Sequence, residues 1–480
     1  MHGIFSTRRP FWLAVFALFI ATISVAHAKE DADSQASTVW LKMSAKEKKQ
    51  VQSFAEEYKQ FMRIAKTELS FVAEAVNVAQ AAGFKAFNNS ADLSAGQRYY
   101  SINRDRTVAL FVIGSKPFID GFRVVGAHID SPRIELKGRA LYEKEGFALF
   151  QTYHHGSIKN YQWVNIPLAL VGHVDKKDGS RVDISVGLDP NDPILIIPDL
   201  SPHVDQEFRE RANRDVIGTE ELDPIVASIP NQELSVVDAV TQYLGKQYRI
   251  ETDDLVSAEL ALVPAMPPRD VGFDRALMAI YGQDDRLSSY AALRAVIGQQ
   301  TPEFTSMAFL VDNEEVGNVN NTGANSSWLK DLMGELLYLQ SEDNYNEHKL
   351  RIALRNTKVV SSDVNPAIHP TWPEVWEAGN APRLGNGVNF KLYGGGFNAN
   401  SEYIAWTRAY LDKAGIPWQT ATYKGKASGG TIGKTLSKDN MEVIDYGVPV
   451  LSIHSTYAIS SKVDVYLLFR AMRTFFGYSD

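Results

Sequence analysis

Short apolar runs that each end in one or two polar residues recur along this chain from about residue 107 onward. Thr107-Val108-Ala109-Leu110-Phe111-Val112-Ile113 and Gly121-Phe122-Arg123-Val124-Val125-Gly126-Ala127 read as β-strands, the second of the type buried on both faces. Upstream the period differs. Phe54, Tyr58, Phe61, Met62 and Ile64-Ala65 recur at helical spacing, so 38–84 is expected to be helical, and Ser44 with Glu47 three residues on forms a helix-start signature. Downstream of 271 the pattern alternates. It predicts helices from Arg286 to Ile297, from Ser401 to Ala414 and from Lys462 to Phe476, with strands at Ser306–Val311, Lys358–Val360 and Val448–Ile453. Such alternation argues for an α/β sheet with helices on both faces. Between them, 139–270 is richer in alternating runs such as Trp163–Val171 and Ile194–Ile197, broken by Pro, Asp-Gly and Asp-Pro, and reads as a β-rich insert. Residues 204–230, charged and bounded by prolines, read as a long loop.

The first 28 residues have a different character. Arg8-Arg9 precede an apolar run from Phe11 to about Val25, which ends in Ala26-His27-Ala28 before Lys29. These are the parts of a secretory signal peptide, cleaved after Ala28. The run is shorter than the ~20 residues a membrane span needs. An uncleaved anchor is the alternative, and Thr7-Arg8-Arg9-Pro10-Phe11-Trp12 also resembles a twin-arginine export signal. The expected compartment is therefore the periplasm or the exterior, with no stable membrane association once the signal is removed.

Composition narrows the chemistry. The 480 residues carry a formal charge of −8, which becomes −10 without the two arginines of the signal, so nucleic acid is not an expected partner. There is no cysteine, which excludes disulfides, thiolate metal sites and thiol nucleophiles. Any metal must sit on His, Asp and Glu.

Five polar points follow strand-like runs: His128-Ile129-Asp130, Asp284-Asp285, Glu314-Glu315, Ser362-Asp363 and His454. In open α/β sheets, ligand sites lie beyond the carboxyl ends of strands. In a β conformation His128 and Asp130 share a face, so Asp130 can hold one ring nitrogen of His128 while the other binds metal. Adjacent carboxylates at a strand end repel each other, so one of Glu314 and Glu315 suits a metal and the other a general base with a raised pKa. Asp284 reads as a helix cap or as a carboxylate bridging two cations. Asp363 could make an Asx turn and His454 could be a capped core histidine. Together, two histidines and three carboxylates suit two zinc, cobalt or manganese ions sharing one carboxylate and activating a bridging water as hydroxide.

Val125–Pro132, Tyr281–Arg286, Asp312–Gly317, Ser361-Ser362-Asp363 and Ser452–Ser455 resemble, in order, the motifs of the M18 metallo-aminopeptidases, the group of aspartyl aminopeptidases and aminopeptidase I. The resemblance implies a zinc-peptidase-like catalytic domain with a central mixed β-sheet flanked by helices, interrupted by a β-rich assembly domain. With the signal read at 1–28, which departs from the family's usual compartments, that gives catalytic parts at 29–138 and 271–480 and an insert at 139–270. It further implies one metal on His128, Asp284 and Asp363, the other on Asp284, Glu315 and His454, with Glu314 as general base and Asp130 orienting His128. His203 would reach a neighbouring subunit's site, so a homo-oligomer, possibly a dodecamer, is implied. Gly429, Gly430 and Thr431 resemble the substrate loop, and Lys391 stands where the family has a lysine near the substrate side chain. The expected activity is removal of the N-terminal residue from peptides with a free N-terminus. The alternatives are a related binuclear carboxypeptidase or deacylase, or a catalytically silent assembly protein on the same fold.

Overall fold

The structure, a computed structural model, describes residues 38–230, 235–341, 344–394, 396–425 and 429–479. The expected signal, residues 1–28, lies outside the described residues. Two compact units divide at 50/51. In the first, the Ser44 backbone N–H donates to Glu47 Oε2 at 2.9 Å and the Glu47 N–H to Ser44 Oγ at 3.3 Å, the reciprocal pair expected of that signature.

The second unit, 51–480, is a mixed α/β structure with sheets of nine, six and five strands and a two-stranded ribbon, Tyr393–Gly394 with Phe397–Asn398. The nine-stranded sheet runs in the order Lys85–Ala86, Arg98–Asn103, Thr107–Val112, Thr305–Val311, Phe122–His128, Lys358–Ser361, Glu442–Gly447, Val388–Phe390, Trp418–Thr420. Its four middle strands, from Thr305–Val311 to Glu442–Gly447, are mutually parallel. Phe122–His128 and Thr305–Val311 are buried along their whole length, which is why both read as unbroken apolar runs. Helices Trp328–Ser341 and Glu347–Asn356 cover Val124, Met307, Phe309 and Val359. Helices Gln283–Ile297 and Lys462–Gly477 pack on each other and on Phe122–His128. The helix-flanked mixed sheet is the fold class that the sequence pattern implies.

A six-stranded sheet is built wholly from residues 133–264, in the order Arg181–Val186, Leu168–Asp175, Ala258–Pro264, Arg133–Lys144, Phe147–His155, Ile225–Ala227. It has its own apolar cluster around Trp163, Leu168, Leu170, Leu260 and Leu262. A five-stranded sheet combines Arg269–Val271, Leu277–Ile280, Ala458–Ser461, Pro449–Leu451 and Asn365–Pro366.

Three local readings change. The helical stretch breaks between Ile64 and Glu68, where Thr67 caps a second helix, Glu68–Ala81, through its hydroxyl to the Ser70 N–H at 3.3 Å. The strand expected at Trp163–Val171 begins only at Leu168, because Asn160–Gln162 forms a tight turn and Asn165 has a positive φ of 57°. A helix at Val236–Tyr248, which the β-rich reading did not include, starts with Ser235 accepting from the Asp238 N–H at 3.1 Å. Among the described residues no helix is long and apolar enough to cross a membrane.

Candidate metal centre

The five polar points converge, and they come from two sheets. His128, Glu314-Glu315 and Asp363 stand at or just past the ends of Phe122–His128, Thr305–Val311 and Lys358–Ser361 in the nine-stranded sheet. Asp284 and His454 follow Leu277–Ile280 and Pro449–Leu451 in the five-stranded sheet. Gly282 (φ 75°) turns the chain into the following helix, and His454 itself sits at φ 63°.

His128 Nε2 lies 3.1 Å from Asp284 Oδ1 and 4.0 Å from Asp363 Oδ1. His454 Nε2 lies 3.2 Å from Asp284 Oδ2 and 3.4 Å from Glu315 Oε1. Asp284 thus joins the two histidines, one oxygen to each. Asp130, fully buried, receives His128 Nδ1 at 3.2 Å on Oδ1. Asp363 Oδ2 accepts from Lys391 Nζ at 2.9 Å, and this lysine is buried at the site rather than extended into solvent.

Two triplets have one ligand atom each within 4.8 Å of the others: His128, Asp284 and Glu315, and His128, Asp285 and Asp363. Asp285, passed over in favour of its neighbour, is fully buried, and neither carboxylate oxygen has a hydrogen-bond partner of sound geometry. Glu315 Oε1 is likewise buried without a hydrogen bond. Burial and the neighbouring carboxylates push Asp285 and Glu315 well above the usual carboxylate range. Burial pushes Glu314 up to about 7, partly offset by His128. Burial would lower His454, but the Asp284 carboxylate outweighs it and raises the imidazole to about 9. These groups face an excess of buried negative charge with lone pairs left over. A hard or borderline divalent cation relieves that, so the donor set fits zinc.

The remaining expected site residues divide. Gly429 and Gly430 are exposed, and a Cβ on Gly430 would stand 4.0 Å from Glu314 Oε1, which places this loop beside the carboxylate. Thr431 is buried instead. Its hydroxyl donates to Asp445 Oδ2 at 2.7 Å and accepts the Gly433 N–H at 3.1 Å, so it anchors the loop. His203 is exposed and touches none of the cluster residues of its own chain. His155 and the Ser157 carbonyl, both at the cluster, escaped the sequence reading. They lie inside the β-rich insert, where Tyr153-His154-His155-Gly156 carries no spacing that marks a ligand.

The family model of the aminopeptidase I zinc metalloproteases (M18) matches residues 61–476. A probable M18 family aminopeptidase 1 of Clostridium acetobutylicum is 39% identical over 444 residues, covering 89% of this chain and 95% of that protein. The crystal structure of an M18 aminopeptidase from Thermotoga maritima superposes with a TM-score of 0.87 at 36% identity, covering 92% of this chain and 98% of the other. That of aminopeptidase I from C. acetobutylicum gives 0.84 at 35%, with 92% and 99% covered. The chain belongs to the M18 zinc aminopeptidases, which are peptide hydrolases.

Proposed function

We propose that this chain is an exported aminopeptidase holding two zinc ions, which removes single residues from the free N-terminus of peptides, with Glu314 as its general base. One observation carries the reading. Glu314 belongs to neither ligand triplet and, unlike Asp284 and Glu315, pairs with neither cluster histidine, yet it sits among them with its carboxyl raised to about 7. Metal binding alone gives no reason for a carboxylate there, whereas proton transfer near neutral pH does.

In this assignment His128, Asp284 and Asp363 hold one ion and Asp284, Glu315 and His454 the other, with Asp285 lying against the first set. Ions bound there supply Lewis acidity toward water and the scissile carbonyl. Glu314 takes a proton from the attacking water and passes it to the departing amine nitrogen. Asp130 holds His128 Nδ1, which leaves Nε2 facing the cluster. Gly429 and Gly430, without side chains, let a peptide backbone approach Glu314. Lys391 at Asp363 borders the substrate position. His203 acts in a neighbouring subunit's site as a donor to the developing oxyanion, which requires a homo-oligomer, in the family's pattern a dodecamer. The signal at 1–28 directs the chain to the periplasm or the exterior, and 139–270 is the assembly domain.

Hydrolysis of a set of aminoacyl chromogenic substrates and of matched free and N-acetylated peptides, with zinc, cobalt or manganese, tests this. Cleavage of free but not acetylated peptides is expected. Cleavage from the carboxyl end, or equal cleavage of both forms, replaces the reading with a carboxypeptidase or deacylase. A metal-loaded but inactive protein replaces it with an assembly role.

A further inference from the structure

We propose that His155, the last residue of strand Phe147–His155 in the six-stranded sheet, and the two residues after it, Gly156 and Ser157, form a positioning clamp for the metal centre, with His155 as the residue that fixes Asp130. This rests on the reading of the cluster as a metal site, and it adds a role for residues that neither the motifs nor the ligand triplets include.

Asp130 is the starting point. Its two oxygens receive four donors. Oδ1 takes His128 Nδ1 at 3.2 Å and the Glu314 N–H at 3.1 Å; Oδ2 takes His155 Nε2 at 2.8 Å and the Glu315 N–H at 3.2 Å. A carboxylate offers about four lone-pair positions, so this one is saturated, and its plane is set by all four partners. The shortest of the four contacts is the one from His155. Through Asp130, that histidine acts on the His128 ring and on the backbone carrying both Glu314 and Glu315. Remove it, and Oδ2 keeps only the longer Glu315 bond, so the carboxylate is free to turn and carry the Glu pair with it, while the His128 ring loses its Oδ1 contact and keeps the one from Nδ1 to the Asp130 carbonyl oxygen at 3.0 Å.

The next two residues act on the other half of the cluster. Gly156 has φ 72°, and a Cβ there would meet Glu315 Cβ at 3.1 Å, Glu315 Oε2 at 3.2 Å and Pro132 Cγ at 3.3 Å. The Glu315 side chain therefore lies against this backbone with no room for a side chain at position 156. The Ser157 carbonyl accepts His454 Nδ1–H at 2.8 Å, which leaves Nε2 facing Asp284 and Glu315. Both cluster histidines thus have Nδ1 committed to an acceptor and Nε2 open toward the ligands, one through Asp130 and one through the clamp itself.

The clamp is anchored in its own sheet. His155 pairs with Arg133 across neighbouring strands, and its Nδ1 lies 3.7 Å from Glu135 Oε1, which Arg133 Nε holds at 2.8 Å. Arg133 Nη1 also meets Glu68 Oε2 at 3.0 Å. The segment therefore ties the six-stranded sheet to the metal ligands, beside the direct chain link from Asp130 to Arg133.

The test measures zinc affinity by chelator competition and steady-state kinetics on an aminoacyl chromogenic substrate, for the full chain and its variants. His155→Phe is expected to weaken zinc binding 10- to 100-fold and to lower kcat, with KM within about twofold. His155→Gln, whose amide N–H can still reach Asp130, should recover most of both. His173→Phe, a buried histidine of the same sheet away from the cluster, should leave zinc affinity unchanged. Parental zinc affinity in a folded His155→Phe, or an equal loss in His173→Phe, overturns the clamp. Should His155→Phe fail to fold, Gly156→Ala carries the test: its methyl presses on Glu315, and an unchanged zinc affinity in that folded variant overturns the proposal. A parent chain that binds no zinc would overturn the metal reading instead, which separates the two failures.

Discussion

Glu314 and Glu315 are neighbours in the chain and differ in what surrounds their carboxyl groups. Glu315 belongs to a ligand triplet and its Oε1 also faces His454 at 3.4 Å, while Glu314 stands outside both triplets beside Gly430. Glu314→Gln should therefore keep its zinc and lose at least ~10²-fold in turnover, the scale of a removed general base. Glu315→Gln should lose zinc from one site, and metal analysis beside kinetics distinguishes the two. Lys66 gives a second prediction at this scale. It is buried and donates Nζ to the Pro264 and Met266 carbonyls at 3.4 and 3.2 Å, and burial with nearby Arg286 and Arg63 lowers its pKa to about 7. Between about 7 and its ordinary value of 10.5 the unfolded chain holds a proton that the folded chain does not. Stability should rise with pH across that window, by up to about 1.4 kcal/mol per pH unit. The urea midpoint of the zinc-loaded protein should climb from pH 7 to pH 9, and Lys66→Met should flatten that climb.

Strand ends, more than helices, set the distances at the cluster. Glu442–Gly447 lies beside Lys358–Ser361, the strand that leads to Asp363, and its last residue passes the Asp363 backbone with no room for a side chain. A Cβ on Gly447 would lie 1.9 Å from the Asp363 carbonyl oxygen and 2.7 Å from its carbon. Gly447→Ala must therefore displace either strand end. Zinc content should fall toward one ion per chain while the far-ultraviolet circular dichroism stays near the parent's, and two ions retained at parental affinity would refute this. The break at Thr67 is a second case: the hydroxyl and Ser70 bond reciprocally, so an expected single helix becomes two.

At the scale of the molecule, one chain brings His128 and His454 together with Asp130, Asp284, Asp285, Glu314, Glu315 and Asp363 but leaves His203 exposed and away from them. An imidazole N–H stabilises an oxyanion only when held about 3 Å from it, which a rigid interface between subunits can provide. His203→Ala should lower turnover with zinc content and assembly intact. Mixed oligomers of Glu314→Gln and His203→Ala subunits should regain part of the activity, since some sites then pair a sound metal centre with a sound histidine. No recovery in verified mixed oligomers, or a fully active monomer, would show that each chain carries a complete site.

Much of this was legible in the residue order. The apolar runs at 107–113, 122–127 and 306–311 announce buried strands, because a strand covered on both faces has no polar alternation to confuse it. The polar residues that end these runs mark His128, Asp284, Glu314-Glu315, Asp363 and His454, because strand ends are where an α/β sheet opens to ligands. The chain order alone singled out a set of metal-capable side chains at strand ends, without deciding between Asp284 and Asp285. Only the tertiary structure decided that the points come from two sheets, that Asp285 groups with His128 and Asp363 within 4.8 Å as Asp284 does with His128 and Glu315, that Lys391 is spent on Asp363, and that His155 and Ser157 support the centre from the end of a strand in a third sheet. The reason is physical. A ligand's identity is a local property, readable from side-chain chemistry and its place on a strand. What orients it is a hydrogen bond from a residue 25 positions away, for His155 on Asp130, or 297 away, for His454 on Ser157, and such a bond leaves no period in the sequence.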